Sequence, residues 1–278
     1  MSLPERGIVL AATPLGDPGD ASANLRQLLA TADLIAAEDT RRLRALAARL
    51  GVQISGRVVS FFEHNERSRI AELIEAAGSQ LVAVVTDAGL PLISDPGFPL
   101  VQAAAQAEVQ LTCLPGPSAA LTALVLSGLP TTPFAFDGFV PRAAGARAAW
   151  LDGLTREPRT VVAFDSPRRL AVTLADAAHR LGAGRQAAVA RELTKPHQEI
   201  IRGCLAELAN WAADQPVRGE VTLVIGPAVE TKTDLGSLLG EVDSVQATGR
   251  GLKDAVQIVA EANGVSKRAL YQAILNRD

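Results

Sequence analysis

Short apolar runs alternate along this chain with segments whose apolar residues recur every three or four positions. IVLAA (8–12), LIAAE (34–38), VVSFF (58–62), LVAVVTD (81–87) and VQLTCLPG (109–116) have the length and composition of buried strands. NLRQLLATAD, TRRLRALAARLG, RSRIAELIEAAG, PLVQAAAQA and SAALTALVLSGL follow them in turn with helical spacing, as in Leu25, Leu28 and Leu29. Strands separated by helices of about ten residues predict parallel βαβ units in a sheet covered on both faces. A second series starts at Phe134–Val140 and continues with TVVAF (160–164), QAAVARE (186–192) and VTLVIG (221–226). Thr131 to Pro133 reads as a linker, so the pattern predicts an N-terminal α/β domain over 1–130 and a C-terminal α/β domain over 131–228. Beyond Gly226-Pro227, a polar stretch leads into two short amphipathic helices that meet at Asn263-Gly264, with Ser266 as N-cap of the second. These form a small helical tail domain over 229–278, a helix-turn-helix hairpin read as a packing appendage, with Lys267 and Arg268 as possible nucleic-acid contacts.

Composition narrows the class. The 278 residues are 48% hydrophobic and 21% charged, which is globular and not disordered. The first apolar stretch is short and broken by Pro and Gly, so it reads as a strand and not a signal peptide. No run of about 18 apolar residues exists, so no membrane span is expected and a cytoplasmic setting is the default. Cys113 and Cys204 lie far apart and form no CxxC, which gives no case for a metal site or disulfide framework. A net charge of −3 and 4% aromatics weigh against a protein that coats nucleic acid non-specifically. Any such role rests on local arginines: Arg41, Arg42, Arg44 and Arg49; Arg142 and Arg147; Arg168 and Arg169.

Three Gly/Pro-rich turns close strands of the first half: TPLGDPGD (13–20), DAGLPLISDPG (87–97) and PGPSAALT (115–122). In an open α/β sheet, ligands bind beyond the carboxyl ends of the strands, where such turns converge. None of the three is a phosphate loop or a dinucleotide fingerprint. Carboxylates sit in them instead, at Asp17, Asp20, Asp87 and Asp95. That chemistry suits a cation or a ribose, not a triphosphate.

In order along the chain stand TPLGD, ADLIAAEDTRRLRAL, FEHNE, TDAGLPLISDPG, LPGPSAALTALVLSGLP, GFVPR, SPRRL and ARELTKPHQEI. Together they resemble the tetrapyrrole-methylase superfamily, and within it the branch that methylates a cytidine 2′-hydroxyl of 16S rRNA in the decoding region of the small ribosomal subunit. The resemblance runs almost continuously over 7–226, and the tail resembles that branch's short helical domain. It implies an α/β fold of two tetrapyrrole-methylase-like domains with S-adenosylmethionine in the cleft between them, and a homodimer. Carried over by motif, Pro14, Leu15, Asp87, Leu90, Ile93, Ser94, Asp95, Ser118 and Ala119 would line the cofactor. Asp17-Pro18 stands where Asn-Leu is common, Leu90 where Thr is usual, and Arg169 where His is common. The first two departures fall on the cofactor side.

A 2′-hydroxyl is a poor nucleophile until its proton is drawn off. Candidate acceptors are Glu38, Asp39, His64, Glu192, Lys195 and His197, with Glu63 and Glu66 beside them, and no single base is singled out. Arg41, Arg42, Arg142, Arg168 and Arg191 are expected to hold RNA phosphates without reading sequence, although Arg191 could instead pair with Glu192 or a sheet-edge carboxylate. Methylation of a precorrin-like tetrapyrrole and a non-catalytic RNA-binding module are the alternatives. EDTRR and ARELTKPHQE favour RNA, whereas the acidic charge and scarce aromatics favour a small substrate.

Overall fold

A computed structural model describes residues 3–228, 235–263 and 265–276. The first half runs β1 (Gly7–Ala11), α1 (Ala23–Thr31), β2 (Leu34–Ala37), α2 (Thr40–Leu50), β3 (Arg57–Ser60), α3 (Glu66–Ala77), β4 (Leu81–Val85), α4 (Phe98–Gln106), β5 (Leu111–Leu114) and α5 (Ala119–Ser127). Its strands pair in parallel in the order β3-β2-β4-β1-β5. The strands are apolar without alternation because both faces are buried. Val9, Ile35, Ala83 and Val85 pack on Leu25, Leu28 and Leu43 on one side, while Ile8, Leu34, Val82 and Val84 pack on Leu73 and Leu100 on the other. The chain leaves β1 toward β2 and leaves β4 toward β5, in opposite directions across the sheet. The β1–β4 boundary is therefore the topological switch point, where the strand ends open a crevice.

The second half runs β6 (Phe134–Phe139), α6 (Ala144–Gly153), β7 (Thr160–Asp165), α7 (Leu170–Leu181), β8 (Gln186–Arg191), β9 (Glu199–Cys204), α8 (Leu205–Asp214) and β10 (Val221–Ile225), with strand order β6-β7-β10-β8-β9. This sheet is mixed. Only β6 and β7 pair in parallel; β10 runs antiparallel to both β7 and β8, and β8 to β9. The physical reason is the connection 192–198, which holds no helix and so reverses the chain. Each helix still joins two strands of like direction, but β9 and β10 run opposite to the rest, and β9 is a strand that the apolar pattern did not reveal. Helices α7 and α8 cover one face through Leu170, Leu174, Leu205 and Leu208. The other face is covered by α5, whose Ala120, Ala123 and Leu124 pack on Val162, Ala188 and Val224.

The chain divides into two compact units after Ala228. The second unit holds α9 (Leu235–Gln246), α10 (Leu252–Asn263) and α11 (Lys267–Leu275), so among the described residues it has three helices and not a two-helix hairpin. The first lay hidden in a stretch read as polar, where Leu238 and Val242 stand one turn apart and are buried against Val256, Val259 and Leu270. Ser266 does cap α11, accepting from the Ala269 N–H at 3.3 Å, and Lys267 donates to Gln257. Gly264 lies outside the described residues.

Gly56, just before β3, has no room for a side chain. A Cβ there would strike the Ala32 carbonyl oxygen and stand 2.7 Å from that of Asp33. Backbone cannot step aside, so Gly56→Ala should destabilise the chain by about 1–3 kcal/mol. An unchanged urea midpoint would show that the β2–β3 edge yields instead.

Candidate functional site

The turns after β1, β2, β4 and β5 meet the end of β7 and the start of β10 around a cavity of about 430 Å³, a volume typical of small-molecule sites. From the first half come Leu15, Glu38, Arg42, the 87–95 turn, Ser118 and Ala119. From the second come Phe139, Phe164, Asp165 to Pro167, and Gly219 to Thr222. The antiparallel course of β10 brings its first residues to the end at which β7 finishes, and so into the site.

The 87–97 turn is pinned at both ends. Thr13 and Gly89 exchange backbone hydrogen bonds of 2.9 and 3.0 Å, and Glu66 accepts from the Gly97 N–H at 3.0 Å. Between them Leu92 and Ser94 adopt left-handed backbone, at φ 72° and 68°. Non-glycine residues take that conformation at a cost, and such strain gathers where a loop must approach a ligand. At α5, Ser118 caps the helix by accepting from the Leu121 N–H.

Carboxyl groups dominate the electrostatics. Asp87 Oδ2 pairs with Arg42 at 2.9 Å, its Oδ1 accepts from the Asp39 N–H at 3.2 Å, and its own N–H donates to Glu38 at 3.1 Å. Burial, and then the neighbouring Glu38, nonetheless raise the Asp87 carboxyl above its ordinary range, against the pull of Arg42. Asp95 goes further: burial first, then Glu38 and Asp87, push it up to about 7, opposed by a hydrogen bond from Thr86. Asp39 moves the other way, held down at about 2 by the Arg41 side chain and backbone while it caps α2.

Of the residues the sequence nominated for the cofactor, Leu15, Asp87, Leu90, Ile93, Ser94, Asp95, Ser118 and Ala119 all line the cavity; Pro14 is buried and does not. Asp17 and Asp20 are exposed outside it. Among the nominated proton acceptors only Glu38 lines it. His64 and His197 sit exposed on turns, the first with its ring centroid 6.2 Å from that of Phe62. Glu192 and Lys195 stand behind the wall. The Lys195 ammonium bridges Glu192 at 2.8 Å and Glu220 at 3.1 Å, and Glu220 faces the cavity. These contacts hold Glu192 below its ordinary range, Lys195 first among the causes.

The nominated arginines separate as well. Arg41 is 88% exposed, whereas Arg42 turns into the cavity to hold Asp87. Arg142 and Arg168 are exposed beyond the ends of β6 and β7. Arg191 pairs with the β9 carboxylate of Glu199 at 2.6 Å. Asp165, Phe139, Phe164 and Glu220 were not nominated. The available signal was that TVVAFD ends a strand on an aspartate just as LVAVVTD does. No group of three or more His, Cys, Asp or Glu among the described residues is arranged to hold a metal ion.

A parallel first sheet, a mixed second sheet and a carboxyl-rich cavity at their strand ends define the class. The chain belongs to the family of tetrapyrrole (corrin/porphyrin) methylases, whose family model matches residues 7–209. Within it, the chain is 53% identical over 96% of its length, and 94% of the relative's, to the ribosomal RNA small subunit methyltransferase I of Mycobacterium bovis. It is 40% identical over 98% of its length, and 92% of the relative's, to the protein of that name from Mesorhizobium japonicum. Among solved structures, the methyltransferase CobJ aligns with a TM-score of 0.62 at 19% identity, covering 80% of this chain and 95% of that one. A uroporphyrin-III C-methyltransferase from Thermus thermophilus complexed with S-adenosyl homocysteine aligns at 0.56 and 21%, covering 80% and 97%. At those identities the likeness is one of fold.

The high Asp95 value carries a stability signature. Below the unfolded value of 3.8 the group is protonated in both states. Between there and about 7 the folded chain keeps a proton that the unfolded chain has released, so stability falls as pH rises through that window. Asp95→Asn removes the titration. Thermal unfolding should therefore show the variant gaining on the wild type between about pH 4 and about pH 7; a constant difference would contradict the assignment.

Proposed function

We propose that this chain methylates the 2′-hydroxyl of a cytidine in 16S rRNA of the small ribosomal subunit, with S-adenosylmethionine as donor. The observation that carries the reading is the cavity, whose first-half wall gathers Glu38, Asp87 and Asp95 at the switch point of a parallel sheet. The relatives' shared name supports rRNA of the small subunit as substrate, and the resemblance of the motifs supports a cytidine ribose. A ribosomal substrate goes with a cytoplasmic setting. Among the described residues no helix is long and apolar enough to cross a membrane. We also infer that two copies pair, in keeping with the exposed Leu121 and Val125 of α5, which sedimentation of the pure chain would test.

The residues present fit that cofactor. The wall offers carboxylates for positive charge, the strained 87–97 turn brings backbone close, and no phosphate loop competes. When bound, S-adenosylmethionine supplies a methyl group on a cationic sulfur that is already a good leaving group. The protein's part is then mainly placement, which is worth roughly 7–11 kcal/mol when two reactants are held in line. Asp87, fixed by Arg42 and the Asp39 N–H, is suited to orient a diol or an ammonium. Lys195 holds Glu220 against the opposite wall, and Arg41, Arg142 and Arg168 lie outside the cavity where a phosphate backbone could be met.

Transfer of label from S-adenosylmethionine to small ribosomal subunits, with uroporphyrinogen as the competing acceptor, tests the reading. Label in 2′-O-methylcytidine of the RNA is expected. Label in the tetrapyrrole alone, or RNA binding with no saturable cofactor binding, would replace this reading with one of its alternatives.

Two variants follow. Asp87→Ala should weaken cofactor affinity by about tenfold to hundredfold, the usual loss of a charged hydrogen bond, while Arg41→Ala should weaken RNA binding and spare the cofactor. Equal losses of both ligands in both variants would point to misfolding. A bound cation also favours the ionised form of Asp95. Affinity for S-adenosylmethionine should therefore fall below about pH 7, more than affinity for the uncharged thioether S-adenosylhomocysteine does. Parallel pH profiles by calorimetry would refute this.

A further inference from the structure

Aromatic residues are only 4% of this chain, yet an aromatic ring and a histidine stand together in solvent at one corner of the first sheet. Phe62, just past the end of β3, is 40% exposed, and its ring centroid lies 6.2 Å from that of the exposed His64. The turn that presents them is tightly fixed. Asn65 Oδ1 accepts from the Phe62 N–H at 2.8 Å, and the Asn65 amide donates to the Ser60 carbonyl and hydroxyl at 3.1 Å. The Asn65 and Glu66 N–H groups both donate to the Phe62 carbonyl at 2.9 Å. A ring carried on backbone held this firmly gives up less freedom on meeting a partner.

The turn lies outside the strand-end cavity and adjoins its wall at two points. The Phe61 N–H donates to the Ala37 carbonyl at 2.7 Å, one residue before Glu38, and Glu66 holds the Gly97 N–H, two residues past Asp95. Glu38 and Asp95 both line the cavity. The second junction is close-packed: a Cβ on Gly97, at φ +126°, would stand 3.0 Å from Leu92 and 3.7 Å from Phe61. Phe98, the next residue, is 62% exposed. Positive charge flanks the rings. Arg67, in the first turn of α3, is exposed and forms no ion pair among the described residues, and Arg41 projects into solvent at the start of α2 beside Asp39. Glu63, exposed on the turn itself, repels phosphate. The turn therefore suits uncharged bases, and the arginines around it suit a backbone.

We propose that the 62–66 turn is a stacking platform for unpaired RNA, on which Phe62 and His64 hold bases that flank the target nucleotide while Arg41 and Arg67 meet the phosphates beside them. The inference rests on the reading of an RNA cytidine as substrate and adds where the neighbouring nucleotides are held. A nucleotide drawn into the cavity leaves its stack, so the bases next to it lose a neighbour at the rim. Aromatic and histidine rings take up such bases, and they do so without reading sequence, because every base has a π-face. A second copy of the chain suits this surface less well. The exposed apolar residues of α5 follow β5, at the opposite edge of the sheet from β3, and Phe62 has the polar Glu63, His64 and Arg67 around it.

The test uses the full chain and intact small subunits, with methyl transfer followed against particle concentration. Wild-type transfer is required first; its failure sinks the functional reading itself. Given that transfer, Phe62→Leu should raise the KM for the particle by roughly tenfold, the loss of one stacked base. Its affinity for S-adenosylhomocysteine should stay within about twofold, as for a substitution remote from that ligand. Phe62→Trp, which keeps a ring, should leave the KM near the wild-type value. An unaltered KM for Phe62→Leu would overturn the inference, and so would an equal rise for Phe62→Trp, because shape and not stacking would then be at work. Cofactor affinity falling in step with the KM rise would also overturn it, by making the turn a prop for Glu38. Sedimentation of Phe62→Leu should match the wild type; dissociation of a wild-type dimer into monomers would give the surface to a second copy instead. Should Phe62→Leu fail to fold, His64→Ala decides. A KM raised roughly threefold or more is expected, and an unaltered one would refute the platform.

Discussion

Glu38, Asp87 and Asp95 crowd like charges into one partly buried wall, and that crowding is the constraint on which the rest of the site depends. Left alone, such a group is unfavourable: burial and mutual repulsion raise Asp87 and carry Asp95 to about 7. Arg42 relieves part of this for Asp87. What remains is a preference for positive charge built into the end of a sheet. A parallel sheet makes that arrangement available because every strand delivers its carboxyl end, and the turn after it, to the same edge.

The second sheet completes the site by departing from that rule. Because 192–198 turns without a helix, β10 enters antiparallel between β7 and β8, and its leading residues Gly219 to Thr222 arrive beside the trailing residues of β7. The same turn carries Glu192 and Lys195, which brace Glu220 from behind. Its Thr194 hydroxyl accepts from the Asp17 N–H of the first turn at 3.2 Å. Glu192 and Lys195, both nominated as proton acceptors, thus reach the cavity through Glu220.

What the sequence made legible follows from which forces are local. Unbroken apolar strands announced the parallel first sheet, since burial on both faces leaves no alternation. Motif residues in the 87–97 turn and at Ser118-Ala119 do line the cavity. Direction in the second sheet was not legible, because apolar content does not say which way a strand runs, and β9, written EIIRGC, mixes charge with apolar residues at an edge. His64 and His197 drew notice as rare residues in motifs, yet both sit on turns that face outward. Asp165 was passed over because its place at the cavity depends on β10 entering antiparallel beside β7, which only the folded chain discloses. In the tail, α9 was missed because glycines at 236 and 240 and the polar residues Ser237, Glu241, Asp243 and Ser244 interrupt a single buried stripe at Leu238 and Val242.

What occupies the strand-end cavity is the decisive question for this protein. A crystal structure of the chain grown with S-adenosylhomocysteine locates it directly. The ligand should lie between the 87–95 turn and Gly219 to Thr222, with Asp87 in hydrogen-bond contact. A ligand bound elsewhere on the molecule, with this cavity holding only water, would contradict it.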